Sequence, residues 1–450
     1  MALLPKRRVS CQWFLQLAEA LDPRSAPRLA LLFLGVVVAR GLRTVTSWIR
    51  AARLSDDYRQ CYNTVSAAGK RAATVAGTLV SQVVNPLLPS DKRVTLAIDD
   101  TPTKRVGPCV EGRGIHHNPT PGPADSLFLS GHVWVTIAAL VSQCHWGVIA
   151  LPLLAKLYIR KNDIKSIAKP HQPKFQTKLE LAVELVTWAL AWLNLQGKPL
   201  WIVVDGAYAM RPFLKPVLTL GVTVVSRLRK DAALFSLPEP CGKQQGKKRG
   251  RGRPRKKGEQ RICLAKRAGA KKGWQTETVS LYGKPTEKTY KTFLAYWGPV
   301  GGLIRVVLVK EENKSWRAYF STDTTATVAD ILETVADRFA IEIAFRDVKE
   351  IVGAGQQQTR FHFANVGCFH LCLWTFTMTE AWAWNQPEKA LTDHRKASPW
   401  DDQPRRPSHA DKRNAFRREL LRNEIHAVLH AKPNPTKLRQ LTDRLVNLAA

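Results

Sequence analysis

RVTLAIDD (residues 93–100) is the stretch that decides the fold. It is a short apolar run, rich in strand-forming residues, that ends in two adjacent carboxylates, Asp99 and Asp100. PLWIVVDGAY (residues 199–208) has the same design and ends its apolar run at Asp205. Runs of this length predict buried strands, and open α/β sheets carry their chemistry at the carboxyl ends of strands. The sequence therefore predicts two strands with acids at one edge of a sheet.

The segments around these two strands predict a mixed sheet flanked by helices, which is an α/β fold. Three strands, a helix, a strand, a helix and a strand follow one another in this part of the chain. The further strands are predicted in 129–141, 145–155 and 222–229, and the helices in 178–196 and 210–221.

Composition divides the whole chain into five segments. We expect an N-terminal helical domain in 1–92, the first part of the catalytic core in 93–228, a basic loop with a β-rich insertion in 229–320, two further core helices in 321–385, and a partly helical tail in 386–450. The N-terminal segment is rich in arginine. It is either a DNA-binding domain or a helical cap with a solvated face.

The charge balance points to a polyanionic partner. The chain has 69 Lys and Arg residues against 36 Asp and Glu, a formal net charge of +33. Nucleic acid is the polyanion that best explains such an excess. The longest apolar run, residues 29–39, is too short to cross a membrane, and the first residues lack a signal-peptide pattern. A cytoplasmic, nucleoid-associated location without membrane contact is expected.

Three acids form the candidate catalytic group: Asp100, Asp205 and Glu342. Glu342 lies among apolar residues in a predicted long helix, 327–353, and a carboxylate near a core is costly unless it is paired or bound to metal. Three hard oxygen ligands suit a pair of Mg²⁺ ions, which catalyse phosphodiester cleavage and transfer.

Each acid also has a purely structural interpretation. Asp100 could cap a strand end, and Asp205 with the following glycine could form a turn. Glu342 could pair with Arg338 or Arg346, four residues away on either side.

Taken together, AIDDT, IVVDGAY and the helix of Glu342 resemble DDE insertion-sequence transposases with an RNase H-like core, in the superfamily of insertion sequence four. The resemblance covers about residues 93–385. It implies that Asp100, the acid directly before threonine, acts with Asp205 and Glu342 as catalytic residues and metal ligands. It also implies two Mg²⁺ ions that Mn²⁺ can replace, cut-and-paste cleavage and strand transfer, and a homodimer on paired double-stranded DNA ends.

Two basic residues near Glu342 match the family's third motif. Arg338 lies four residues before Glu342 and Lys349 seven residues after it, whereas Val335 stands where the family has a tyrosine. Four and seven residues return to nearly the same helix face, so both cations could clamp DNA phosphates. Arg360, in the following GAGQQQTR segment, is a further predicted backbone contact.

Trp316 is the predicted base-stacking residue. The resemblance implies that a tryptophan in this strand stacks on a base flipped out near the cleavage point, as in a hairpin intermediate. The alternative is that Trp316 belongs to the small core of the insertion.

The basic loop contains GRGRPRKK (residues 250–257), which resembles an AT-hook. Arg251, Arg253 and Arg255 would then enter an A·T minor groove. The alternative is a polybasic loop that neutralises phosphates without regard to sequence. Two other functions compete with transposition: an RNase H-like nuclease that cuts without joining, and an inactive relative that only binds DNA.

Overall fold

A computed structural model describes most of the chain. The described residues are 11–54, 57–89, 93–117, 126–237, 257–311, 315–395 and 405–430, with isolated positions between 435 and 442.

The described residues form helices at both ends of the chain and a mixture of strands and helices between them. The α-helices are α1 (Gln12–Ala18), α2 (Ala26–Val38), α3 (Val45–Ala52), α4 (Tyr58–Lys70), α5 (Ala72–Leu79), α6 (Lys178–Trp192), α7 (Arg211–Thr219), α8 (Leu264–Gly269), α9 (Val328–Asp337), α10 (Phe339–Asp347), α11 (His362–Ala383), α12 (Glu388–Thr392) and α13 (His409–His430). The strands are β1 (Val94–Lys104), β2 (Gly114–His117), β3 (Phe128–Gln143), β4 (Gly147–Tyr158), β5 (Leu200–Val204), β6 (Thr223–Leu228), β7 (Leu234–Phe235), β8 (Arg261–Ile262), β9 (Gln275–Leu281), β10 (Lys284–Trp297), β11 (Gly302–Lys310) and β12 (Trp316–Ser321).

The catalytic part of the sheet has the strand order β4-β3-β1-β5-β6. Strands β1, β3 and β4 pair in antiparallel fashion, and β1, β5 and β6 pair in parallel. Parallel strands need crossover connections. Helix α6 precedes β5 in the connection from β1, and α7 lies between β5 and β6. The predicted α/β fold with an RNase H-like mixed sheet is confirmed.

The β-rich insertion continues the same sheet. Strand β12 pairs antiparallel with β6, and β11 and β10 follow in order. Strands β7 and β9 pair with β10, and β8 pairs with β7. The sheet of the described residues therefore has twelve strands. The insertion was expected as a segment distinct from the core, but its ladder of hydrogen bonds runs directly into the core strands.

The two faces of the central strands bury different cores. Ile98 and Val204 point into the main core. Trp201 and Val225 point to the other face, where they pack with Ile331 of α9 in a smaller core. Because neighbouring residues of a strand point to opposite faces, this division fixes the side on which each strand-end acid lies.

The N-terminal helices pack on α11, as part of the main core. Gly69 of α4 and Gly367 of α11 allow close backbone contact, because a Cβ at Gly367 would overlap the carbonyl oxygen of Val65 and one at Gly69 that of Phe363. The prediction of helices in 1–92 is confirmed for the described residues, but they share one core with the catalytic part.

Helix α13 is joined to α11 by a buried ionic group. Glu380 of α11 accepts hydrogen bonds from Lys412 Nζ at 2.5 Å and His409 Nδ1 at 2.7 Å. Burial alone would raise the pKa of Glu380, but the charge of Lys412 and the hydrogen bond from His409 outweigh it and lower the pKa to about 2. The C-terminal tail is thus partly built into the core.

The long helix predicted over 327–353 is interrupted. Helix α9 ends at Asp337, α10 begins at Phe339, and a π-helical turn covers Val348–Val352. Within the described segments, none of the helices combines the length and apolar character needed to cross a bilayer.

Candidate active site

Asp99 and Asp205 lie side by side at the end of the parallel strands. The β1–β5 register pairs Thr95 with Trp201 and Ile98 with Val204. One further step along this register places Asp205 opposite Asp99. Both acids therefore share the face on which Trp201 packs against α9.

Helix α10 brings Glu342 to this same group. The guanidinium of Arg338 lies between two acids, with Nη1 at 2.5 Å from Asp99 Oδ2 and Nη2 at 2.6 Å from Glu342 Oε1. Burial raises the pKa of Asp99 to about 6 against the opposing charge of Arg338, and the neighbouring Asp100 and Asp205 add to the rise. Three acids and one arginine thus form a single electrostatic group.

Asp100 faces the other side of β1. Its Oδ2 accepts a hydrogen bond from Lys178 Nζ of α6 at 2.6 Å, and its Oδ1 accepts one from the Tyr208 hydroxyl at 3.0 Å. The sequence prediction groups Asp100 with Asp205 and Glu342, whereas the partners of Asp100 in this structure come from α6 and from the turn after β5. The physical reason is strand alternation: of two consecutive residues in β1, only one can point toward α10.

The carboxylates Asp99, Asp205 and Glu342 have the chemistry that Mg²⁺ and Mn²⁺ require, since hard cations prefer several oxygen ligands. Among the described residues, no three acidic, histidine or cysteine side chains lie close enough together to hold an ion. The Arg338 guanidinium lies between Asp99 and Glu342 instead. The donor chemistry of the three acids therefore suits a divalent cation, whereas their spacing in this structure does not bring them together around one.

A shallow cavity of about 320 Å³ opens beside Asp205. Its other lining residues include the exposed Arg227 and Lys230. Lys230 Nζ lies 4.9 Å from the centre of the Trp316 ring, and Trp316 is half-buried at the start of β12. Cations thus border Asp205, and an aromatic ring lies beside one of them, an arrangement suited to a phosphate backbone and a base.

Sequence comparison decides the family. The sequence model described as DDE superfamily endonuclease matches residues 16–286, more than half of the chain. This chain belongs to the DDE superfamily endonucleases. The match includes Asp99, Asp100 and Asp205 and ends before Glu342.

Two other comparisons complete the picture. The structure of this DDE superfamily endonuclease is similar, at 11% sequence identity and a TM-score of 0.42, to the cryo-EM structure of a piggyBac transposase synaptic complex with hairpin DNA. The similarity covers 98% of this chain and 84% of that one. No curated protein matches the sequence.

The remaining predicted DNA contacts of this endonuclease have different surroundings. Arg338 is held by two acids, so it does not point freely toward a phosphate as expected. Lys349 is half-buried in the π-helical turn, which shifts it from the α-helical register that the prediction assumed, and burial lowers its pKa. Arg360 is exposed, with its guanidinium 5.7 Å from the Phe361 ring. The predicted AT-hook arginines lie outside the described residues; they are Arg251, Arg253 and Arg255.

Four residues near the acids of this endonuclease were not among the predicted site residues: Lys178, Tyr208, Arg227 and Asp99, which was passed over in favour of Asp100. Tyr208 stands in the quoted DGAY motif, and Lys178 is the first residue after a Thr177 helix cap. Strand alternation along VTVVSRLR would have placed Arg227 on the face of the acids. What the sequence did not supply for these four residues is the register in which the strands pair, because that register decides which side chains lie on the same face of the sheet.

Proposed function

We propose that this DDE superfamily endonuclease is a transposase that cleaves double-stranded DNA at the ends of an insertion sequence and joins the ends to target DNA. One observation supports the proposal most: Ile98 pairs with Val204, the residues directly before Asp99 and Asp205, and Arg338 bridges Asp99 to Glu342. We therefore assign Asp99 as the first catalytic acid, with Asp205 and Glu342 completing the triad.

Divalent metal ions fit this proposal, because enzymes of the DDE superfamily generally use them. Asp99, Asp205 and Glu342 would hold two Mg²⁺ ions, or Mn²⁺ in their place. When bound, the ions would activate a water or 3′-hydroxyl and stabilise the leaving 3′-oxygen.

The protein's own residues do the rest of the work. Arg338 keeps the acids neutralised before the ions enter. Arg227 and Lys230 offer positive charge to the phosphates that flank the scissile bond, beside Asp205. Trp316 is positioned next to Lys230 to stack on an unpaired base, which would serve a hairpin step if the reaction has one.

The proposed partner is DNA, and the net charge of +33 supports it. A transposase must hold two element ends at once, so we propose a homodimer on paired ends. We also propose a location at the nucleoid, because chromosomal DNA would be the substrate.

The test is a cleavage and strand-transfer assay with Mg²⁺ on DNA that carries the sequences flanking the element. Asp99→Asn, Asp205→Asn and Glu342→Gln are each expected to lower cleavage by about 10³-fold, because each removes a charged metal ligand worth several kcal/mol. Asp100→Asn is the matched neighbour and should keep measurable cleavage.

A second readout is Mn²⁺ binding by electron paramagnetic resonance, which does not depend on turnover. Asp99→Asn should weaken binding more than Asp100→Asn does. The opposite ranking in both assays would return the first-acid role to Asp100. Cleavage without joined products would instead indicate a nuclease.

A further inference from the structure

Four arginines come together on the side of the molecule where the N-terminal helices meet α13. Arg40 and Arg43 follow the end of α2, and Arg413 and Arg417 lie one turn apart on α13. We call these four residues the arginine cluster. They are close enough for the charges of Arg40 and Arg43 to act on Arg417, and those of Arg43 and Arg417 to act on Arg413.

Two members of the cluster are buried, Arg43 is half-buried and Arg40 is exposed. Arg413 is 5% exposed and Arg417 is 6% exposed. Nε and Nη2 of Arg417 and the Nε atoms of Arg413 and Arg43 have no hydrogen-bond partner. Arg413 Nη2 donates to the backbone oxygens of Val36 and Ala39, at 3.1 and 2.8 Å.

No carboxylate of the described residues forms an ion pair with any member of the cluster. Burial, followed by the charges of the neighbouring arginines, lowers the pKa of Arg413 to about 9 and that of Arg417 to about 10. Buried like charges with open N–H donors are costly unless an anion compensates them. The fork of a guanidinium matches the oxygens of a phosphate, and several forks together form a phosphate site.

We propose that the arginine cluster is a binding site for a phosphate group, and that a backbone phosphate of DNA is its occupant. The choice of DNA rests on the proposed function, whereas the phosphate site itself does not. No described residue of the cluster belongs to the acid group or to the cavity beside Asp205.

The position of the cluster supports DNA as the source of the phosphate. Arg43 packs on Gly353, where an added Cβ would lie 2.6 Å from Arg43 Cβ, and Arg43 N donates to Gln356 Oε1 at 2.9 Å. Helix α10 and the π-helical turn carry the chain from Glu342 to Val352, which is roughly 15 Å at about 1.5 Å per residue. A duplex bridges that length with about four base pairs. One DNA end could thus reach the acids and the cluster together.

The first experiment uses inorganic phosphate as the probe and needs no DNA. Thermal unfolding of the full chain is followed as phosphate increases at constant ionic strength. We expect a saturable rise of a few degrees in wild type and none in Arg417→Gln. Arg422→Gln is the matched control, because Arg422 is an exposed arginine of the same helix and its loss changes the net charge equally. An equal rise in both variants would overturn the phosphate site.

The second experiment measures DNA affinity against salt concentration. Arg417→Gln should weaken binding several-fold and reduce the salt slope by about 1, whereas Arg422→Gln should change neither as much. Phosphate protection with an unchanged DNA slope would show that the occupant is free phosphate rather than DNA.

If Arg417→Gln does not fold, Arg40→Gln takes its place in both experiments. Arg40 is exposed, so this substitution removes one positive charge without disturbing the core. It should reduce both effects in the same direction, and unchanged effects would count against the cluster. Neither measurement uses cleavage. A failed cleavage assay with intact phosphate binding would therefore count against the transposase alone.

Discussion

The hydroxyl of Tyr208 donates a hydrogen bond to Asp100 Oδ1 across 3.0 Å. Tyr208 is 2% exposed and sits in the turn that carries Asp205, whose backbone oxygen accepts a hydrogen bond from Tyr208 N at 2.9 Å. Through Tyr208, Asp100 therefore links the turn that contains Asp205 to strand β1, which contains Asp99. Under the proposed function, Asp100 is a positioning residue for the acids on the opposite face of β1.

Tyr208→Phe is expected to loosen this tie. Removing the hydroxyl should lower Mg²⁺-dependent cleavage about 10-fold and raise the Mg²⁺ concentration needed, as loss of an outer partner of a metal site does. The cost in unfolding free energy should be about 1 kcal/mol. Tyr290→Phe is the matched control, because its hydroxyl also donates to an acid, Glu277, in the insertion. Equal metal requirements in the two variants would contradict the positioning role.

Arg338→Gln should tighten Mn²⁺ binding several-fold in the absence of DNA. The guanidinium and the cation compete for Asp99 and Glu342, so removing the first favours the second. Without metal, the variant should unfold at a lower temperature, since the half-buried Asp99 loses its counter-charge.

Isothermal titration with Mn²⁺ checks this prediction, with Arg346→Gln as the control. Arg346 lies on the same helix and pairs with Asp347 instead. Weaker metal binding in Arg338→Gln would mean that Arg338 orients the carboxylates rather than competing for them.

The buried Glu380 predicts an acid-sensitive contact between α11 and α13. A carboxyl with pKa of about 2 in the folded state and 4.5 when unfolded contributes about 3 kcal/mol of stability above pH 4.5. Because the folded pKa is the lower one, this stability is lost as pH falls from 4.5 toward 2.

Denaturant unfolding from pH 7 to pH 2.5 tests the contribution. Glu380→Gln should be about 3 kcal/mol less stable at pH 7, since Lys412 is left buried without its partner, and the two stability curves should converge in acid. A constant difference between the curves at all pH values would show that packing, not charge, is lost.

Gly367→Ala should destabilise the fold by about 3 kcal/mol or more, because the new methyl group meets the backbone of α4 rather than a movable side chain. Gly269→Ala, at the end of α8, has no neighbour within 4 Å of the added Cβ and should change stability by less than about 0.5 kcal/mol. Urea denaturation of both variants measures the difference; similar values would mean that α4 and α11 can separate cheaply.

Local patterns in the sequence were enough to predict the central strands, because β1 and β5 are apolar runs bounded by acids. They also singled out Asp205, which directly follows the apolar strand β5, and Glu342, which lies in the largely apolar helix α10. The choice of Asp100 over Asp99 followed a sequence motif. Which of the two acids lies on the same face as Asp205 depends instead on the pairing of Ile98 with Val204, and no single segment of sequence encodes that pairing.

The arginine cluster could not be predicted from sequence for the same reason. Arg43 and Arg417 are far apart in the sequence, and each looks like an ordinary basic residue of a basic protein. Their partial burial side by side results from the packing of α13 against α2 and α11, which is decided by long-range contacts. The composition of the chain indicated that its partner is negatively charged. It could not show where on this protein the positive charge that meets the partner is concentrated.

The acids come from distant points along the chain, and this has a consequence for biosynthesis. A nascent polypeptide that has left the ribosome only as far as Ala326 already contains Asp99 and Asp205 but neither Glu342 nor Arg338. Such an intermediate lacks both the third proposed ligand and the arginine that pairs with Asp99. Under the proposed function, the acid set is complete only once translation has passed α10, so a product truncated before that point would not cleave DNA.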